Sequence, residues 1–119
     1  MNTDLTGRVI GAAFEVSNTL GIGFLEKVYE RALLRELALR GIRAEGQVAL
    51  SVSYKGENVG LYVVDVMVEG ELMVELKCVE RLGDEHVAQC LNYLKASGHR
   101  LCLLLNFQRP QVEYKRVIR

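Results

Sequence analysis

Apolar positions along the chain alternate between a helical period and a strand period, and the changes of period outline eight elements. Residues 4–20 carry Leu5, Val9, Ala13, Val16 and Leu20 at helical spacing, with Ile10 and Phe14 widening the stripe. Gly7 and Gly11, four apart on that helix, predict the close approach of another element. The Gly21-Ile22-Gly23 break ends it. A second amphipathic helix over 24–40 turns Leu25, Val28, Tyr29, Ala32, Leu33 and Leu37 inward and Lys27, Arg31 and Arg35 outward, and Gly41 stops it. From Ala44 to Tyr54 the chain alternates, with Val48, Leu50, Val52 and Tyr54 against Gln47, Ala49, Ser51 and Ser53. After the Lys55-Gly56-Glu57 turn, a second strand places Val63, Asp65 and Met67 on one face and Tyr62, Val64, Val66 and Val68 on the other. A third, after Glu69-Gly70-Glu71, places Met73, Glu75 and Lys77 opposite Leu72, Val74 and Leu76. The three strands form an antiparallel meander reaching about Val79.

Asp84 is then an N-cap candidate for a helix over 85–97, with His86, Gln89, Cys90 and Tyr93 on one side and Val87, Leu91 and Leu94 beside them. Gly98 ends it. Residues 101–107 are almost continuously apolar, as in a strand buried on both faces. Residues 111–118 alternate again and predict an edge strand starting beside Pro110. The order is helix, helix, three strands, helix, two strands.

Turn length decides whether Asp65 and Glu75 meet. A two-residue turn would send Glu75 to the opposite face, because one step of register flips every side chain. A three-residue turn centred on 69 or 70 puts the two acids on one face, roughly 5 to 8 Å apart at Cβ. Two carboxylates that close repel unless a cation neutralises them, and Lys77 supplies one charge. A divalent metal is therefore expected there. Glu26, in the first turn of the second helix, either complements the helix dipole or adds a third carboxylate.

Composition narrows the setting. The 119 residues, half of them apolar, suffice for one domain over 1–119 with a substantial core. No apolar run is long enough to span a membrane and no signal-like leader is visible, which implies a cytoplasmic protein without a membrane partner. Cys78, Cys90 and Cys102 are odd in number and lack Cys-x-x-Cys spacing, so they read as reduced, packed thiols. Fifteen acidic and fifteen basic residues cancel, which counts against broad electrostatic binding of nucleic acid and leaves room for a local patch. Lys27, Arg31 and Arg35, and separately Arg81, Lys95 and Arg100, are candidates for phosphate contact, with a solvated face as the alternative.

Taken in order, Glu26, Asp65, Glu75, Lys77, Gln89 and Tyr93 collect toward one end of the expected sheet. This set resembles the PD-(D/E)XK nuclease superfamily, whose signature is an Asp on one strand and Glu-x-Lys on the next, here Asp65 and Glu75-Leu76-Lys77. Gln89-x-x-x-Tyr93 is similar to the extra motif of the RecB-type branch, and Gly23-x-x-Glu26-x-x-Tyr29 to the pattern that names the GxxExxY proteins. Val64, not proline, precedes Asp65. The resemblance implies an α/β, restriction-endonuclease-like fold, its mixed central sheet flanked by helices. It further implies one or two Mg²⁺ or Mn²⁺ ions on Asp65, Glu75 and the Leu76 carbonyl, with Glu26 joining directly or through water. Lys77 would then polarise the attacking water, Gln89 and Tyr93 would orient the site, and the reaction would be phosphodiester hydrolysis in nucleic acid, DNA ahead of RNA. His86 reads as packing near the site, since an oxygen-rich site has no need of imidazole. The rival reading is a catalytically silent module of the same fold that binds a partner or pairs with itself, as a homodimer or in a larger complex.

Overall fold

The chain's apolar periodicity sorts its helices onto two faces of one sheet. The computed structural model describes residues 3–119, with side chains from Leu5 onward. Its elements are α1 (Thr3–Leu20), α2 (Glu26–Leu39), β1 (Ala44–Tyr54), β2 (Glu57–Val68), β3 (Leu72–Lys77), α3 (Asp84–Ser97), β4 (Leu101–Asn106) and β5 (Glu113–Ile118). The strands form a five-stranded sheet in the order β1-β2-β3-β4-β5. The β3–β4 pair is parallel and the others are antiparallel. A parallel pair needs a crossover, and α3 is that crossover. The expected α+β architecture and element order are observed, with β5 at an edge.

One side of the sheet presents Val66, Val68, Leu72, Val74, Leu76, Leu101, Leu103 and Leu105 to α1 and α2, which contribute Val9, Ala13, Tyr29, Leu33 and Leu37. The other presents Val64, Met67, Met73, Cys102 and Leu104 to Cys90, Tyr93 and Leu94 of α3. β4 is buried throughout because it supplies both layers, and each fully buried Leu there contributes about 1.5–3 kcal/mol. Cys90 and Cys102 are free thiols packed at 3.0 Å in the α3 layer. The neighbouring Cys90 thiol and burial hold the Cys102 thiol far above its usual range, which keeps it protonated and unreactive.

Three local readings are corrected. Gly7 has no neighbour within 4 Å of where a Cβ would stand, so its face of α1 is open. Close approach does occur at Gly11, where a Cβ would come within 3.3 Å of Arg40 Nη1 at the end of α2, and it is tighter at Gly46 of β1, within 3.0 Å of Leu34 Cδ1 on α2. Leu25 and Val28 do not face the core: α2 starts at Glu26, and Leu25 precedes it in an extended conformation, 77 % exposed. The N-cap of α3 is Gly83, not Asp84, and His86 Nδ1 accepts from the Gly83 amide at 2.9 Å, so His86 closes the first turn.

The fourth correction concerns the strand that carries Asp65. Strict alternation would put Val64 with Val66, yet Val64 packs in the α3 layer with Met67 while Val66 packs against α1 and α2. The register is unchanged across the break, Gly46 pairing with Val66 and Val48 with Val64, so neither strand has an extra residue. Gln47, between those two β1 residues, has φ +55°. A left-handed residue reverses the side-chain sequence of β1, and β2 turns with it at Asp65.

Candidate active site

The Glu69-Gly70-Glu71 turn fixes the register on which the site depends. Val68 pairs with Leu72, Met67 with Met73 and Val66 with Val74, giving the three-residue loop. Glu69 and Gly70 take φ +54° and +67°, and the Glu69 carboxylate accepts from the Arg43 amide, which closes the loop onto the start of β1. Continuing the register brings Asp65 level with Glu75. There the ladder gives way to side chains: the Asp65 amide donates to Glu75 Oε1 at 3.1 Å, and the Leu76 amide donates to Asp65 Oδ2 at 2.9 Å. Each acid thus has one oxygen fixed by the opposite strand.

Glu75 is only 3 % exposed. Burial first and the Asp65 charge second push its carboxyl up to about 8. Glu26 stands at the first helical position of α2, where burial first and the Asp65 charge second raise its pKa against the opposing pull of Lys77 and the Cys78 amide. Lys77 Nζ donates to Gln89 Oε1 at 2.9 Å across to α3. One turn further on that helix, the Tyr93 ring lies 4.8 Å from the Tyr62 ring, and burial with the Glu75 and Asp65 charges pushes its hydroxyl up. The fold therefore brings Glu26, Asp65, Glu75, Lys77, Gln89 and Tyr93 to one end of the sheet, beside the carboxyl ends of the parallel strands β3 and β4.

A family model for the PD-(D/E)XK nuclease superfamily matches residues 3–117, nearly the whole chain and every residue of this cluster. The chain belongs to the PD-(D/E)XK nuclease superfamily. No curated protein matches it in sequence. Among solved structures it is similar to an alkaline exonuclease, LHK-Exo, from Laribacter hongkongensis, at 12 % identity and TM-score 0.53, covering 95 % of this chain and 82 % of that one. The same exonuclease in complex with dAMP matches equally, at 12 % identity and TM-score 0.53, over 96 % and 82 %. The protein SSO0001 matches at 11 % identity and TM-score 0.58, over 96 % and 77 %. These likenesses show a shared restriction-endonuclease-like PD-(D/E)XK fold.

Members of the superfamily generally use divalent metals, and the donor set here suits a hard cation. Asp65, Glu75 and Glu26 offer oxygen ligands. Glu75 and Asp65 form an acid pair whose mutual repulsion a dication would relieve. Among the described residues, no three Asp, Glu, His or Cys side chains yet stand close enough to enclose an ion unaided. Water or substrate oxygens would complete such a shell.

Other residues shape the site without an obvious trace in the sequence. Glu30, one turn beyond Glu26, is buried and accepts from Gln47 Nε2 at 2.7 Å and Lys27 Nζ at 3.3 Å. It adds to the negative field on Glu26 and ties α2 to the kink opposite Asp65. Asn106, fully buried at the end of β4, accepts from the Val79 amide, donates to the Val79 carbonyl and donates to Glu113, so it holds the exit of the strand that carries Lys77. Burial alone would raise the Glu113 pKa, but hydrogen bonds from Asn106 and the Leu82 amide with the Arg109 and Lys115 charges bring it below its ordinary value.

The basic candidates are all exposed and are not gathered into one patch. Lys27 pairs with Glu30. Arg31 and Arg35 continue along α2, Arg81 lies in the β3–α3 connection, and Lys95 is in the last turn of α3. Arg100 precedes the first residue of β4, opposite Leu72, at the far end of the sheet from the Lys77–Asn106 pair. Among the described residues, no helix is long and apolar enough to cross a membrane.

Proposed function

We propose that the chain is a divalent-metal-dependent phosphodiesterase that hydrolyses nucleic acid, with DNA ahead of RNA as substrate. The observation that carries this is the Asp65–Glu75 pair, with the Lys77 ammonium on the same end of the same strands. The superfamily match supports a nuclease, and the capture of dAMP by the structurally similar exonuclease favours a deoxynucleotide ligand. The joint placement of Gly23, Glu26 and Tyr29 around one loop supports the finer assignment to the GxxExxY proteins.

In this reading Asp65, Glu75, the Leu76 carbonyl and Glu26 hold Mg²⁺ or Mn²⁺. Such an ion, when bound, supplies positive charge against the scissile phosphate and makes water more acidic. The chain's own groups do the rest. Gln89 aims the Lys77 ammonium, which orients the attacking water and offsets charge that builds on the phosphate oxygens in the transition state. Water adds to phosphorus in line with the leaving ester oxygen, the P–O ester bond breaks, the water's proton passes to solvent, and the leaving oxygen takes a proton from solvent to depart as an alcohol. Tyr93, wedged against Tyr62, keeps α3 and hence Gln89 in place.

The test is hydrolysis of single- and double-stranded DNA and RNA by wild type, Asp65→Ala and Lys77→Ala, each with Mg²⁺, Mn²⁺ or EDTA. Metal-dependent cleavage lost in both variants is expected. Cleavage surviving EDTA or both substitutions would refute the mechanism.

A further inference from the structure

Next to the acids, on the α2 side, is a cavity of about 330 Å³ that the mechanism does not use. It is lined by Ile22, Phe24, Tyr29, Cys78, Phe107 and Gln108. We propose that this cavity takes the base of an unpaired nucleotide flanking the scissile phosphate. The proposal rests on the nuclease reading and adds to it the class of strand: single-stranded nucleic acid or a frayed end.

Four features carry it. The first is position, since Cys78 belongs to both sites: it lines the cavity, follows Lys77 directly, and lies close enough to Glu26 to feel its charge. A nucleotide whose phosphate meets the acids therefore has its base or its neighbour's base within reach of the cavity.

The second is a rigid aromatic support beneath the loop, Tyr29 and Phe107 being each 1 % exposed, so that they brace the site and leave the stacking surface to the loop above them. Tyr29 stacks on Phe107 with ring centres 4.8 Å apart and planes within 10°. The Tyr29 hydroxyl donates to the Gly21 carbonyl at 2.6 Å and accepts from the Phe24 amide at 3.3 Å, so the ring cannot swing without breaking the loop. Gly21 and Gly23, at φ +74° and +107°, let the loop close around that hydroxyl.

Third, the loop pushes apolar groups outward. Ile22 is 54 % and Phe24 48 % exposed, although Phe24 is held edge-on to Tyr29 at 6.2 Å. A half-exposed aromatic ring beside a phosphate-directed site is a group on which a base can stack, at about 1–3 kcal/mol per base.

Fourth, Gln108 brings an amide to the rim, with donors and an acceptor for a base edge. A base inside a duplex is held by stacking on both faces and by pairing at its edge, so an unpaired base, free to leave the stack and offer its edge to Gln108, is the one that suits this surface.

The experiment is fluorescence anisotropy with an end-labelled single-stranded oligodeoxynucleotide, in Ca²⁺ buffer, beside an abasic strand of equal length and a blunt duplex. Phe24→Ala and Ile22→Ala, checked by thermal melting, are compared with wild type. Phe24→Ala is expected to weaken binding of the normal single strand about tenfold, Ile22→Ala less, and neither to change binding of the abasic strand or the duplex. Equal losses on normal and abasic strands, or no loss in either variant, would overturn the base site. If wild type still cleaves in an Asp65-dependent way, the nuclease reading stands without it. If wild type neither binds nor cleaves any of the strands, both readings fall.

Discussion

Asp65 and Glu75 are bound crosswise, the Asp65 amide to the Glu75 carboxylate at 3.1 Å and the Asp65 carboxylate to the next amide of β3 at 2.9 Å. Two acids that would repel in a free hairpin are thereby locked into one pair, with Glu75 buried and Asp65 half-buried. The strand backbone supplies partial positive charge, and a full countercharge is left to whatever binds between them.

That pair makes stability depend on pH in a definite direction. The folded-state pKa of Glu75, about 8, lies above its ordinary value of 4.5. Its contribution to stability is therefore complete below about pH 4.5 and is lost as pH rises toward 8. Metal-free protein should melt several degrees lower at pH 8 than at pH 5, since a few kcal/mol are at stake. Glu75→Gln should flatten that slope, as thermal melts at the two pH values with EDTA will show. An equally steep fall in the variant would assign the effect to other groups.

Gln89 acts through Lys77. Removing its acceptor in Gln89→Ala frees the ammonium, and a misplacement of about 1 Å can cost on the order of 100-fold in rate. The expected result is a kcat lower by about 10- to 100-fold with KM nearly unchanged. Gln89→Glu, which keeps an acceptor, should recover part of the loss. Dividing kcat by the folded fraction, read from a thermal melt of the same sample, would separate this from a folding defect, which would leave kcat per folded molecule as it was.

Tyr29→Phe keeps the stack on Phe107 and deletes only the hydroxyl, leaving the Gly21 carbonyl and Phe24 amide without it. The expected destabilisation is about 1–3 kcal/mol, read as a lower urea midpoint with an unchanged slope. Because the loop leads directly into Glu26, activity per folded molecule should fall as well. A stable variant with full activity would show that the loop needs no anchor.

Much of this was legible in the sequence because local signals agreed with the global fold. Gly70 and the apolar residues around it set a three-residue turn, and that alone decided that Asp65 and Glu75 meet. The unbroken apolar run of β4 announced a strand covered on both faces. Other features lack a local signature. The face reversal at Asp65 depends on a left-handed Gln47, a residue type that gives no warning of positive φ. Leu25 fits the helical stripe by spacing, yet the chain is still extended there. Glu30 and Asn106 owe their roles to partners 17 and 27 residues away, Gln47 and Val79, that only the folded chain brings to them.

The most direct test of the central claim is a calorimetric titration of Mn²⁺ into wild type and Asp65→Asn at pH 7, repeated in buffers of different ionisation enthalpy. Wild type is expected to bind with release of a proton, because Glu75 must ionise to serve as a ligand, and Asp65→Asn to lose most of that affinity. Binding of equal strength in both proteins, or no binding by wild type, would contradict the account.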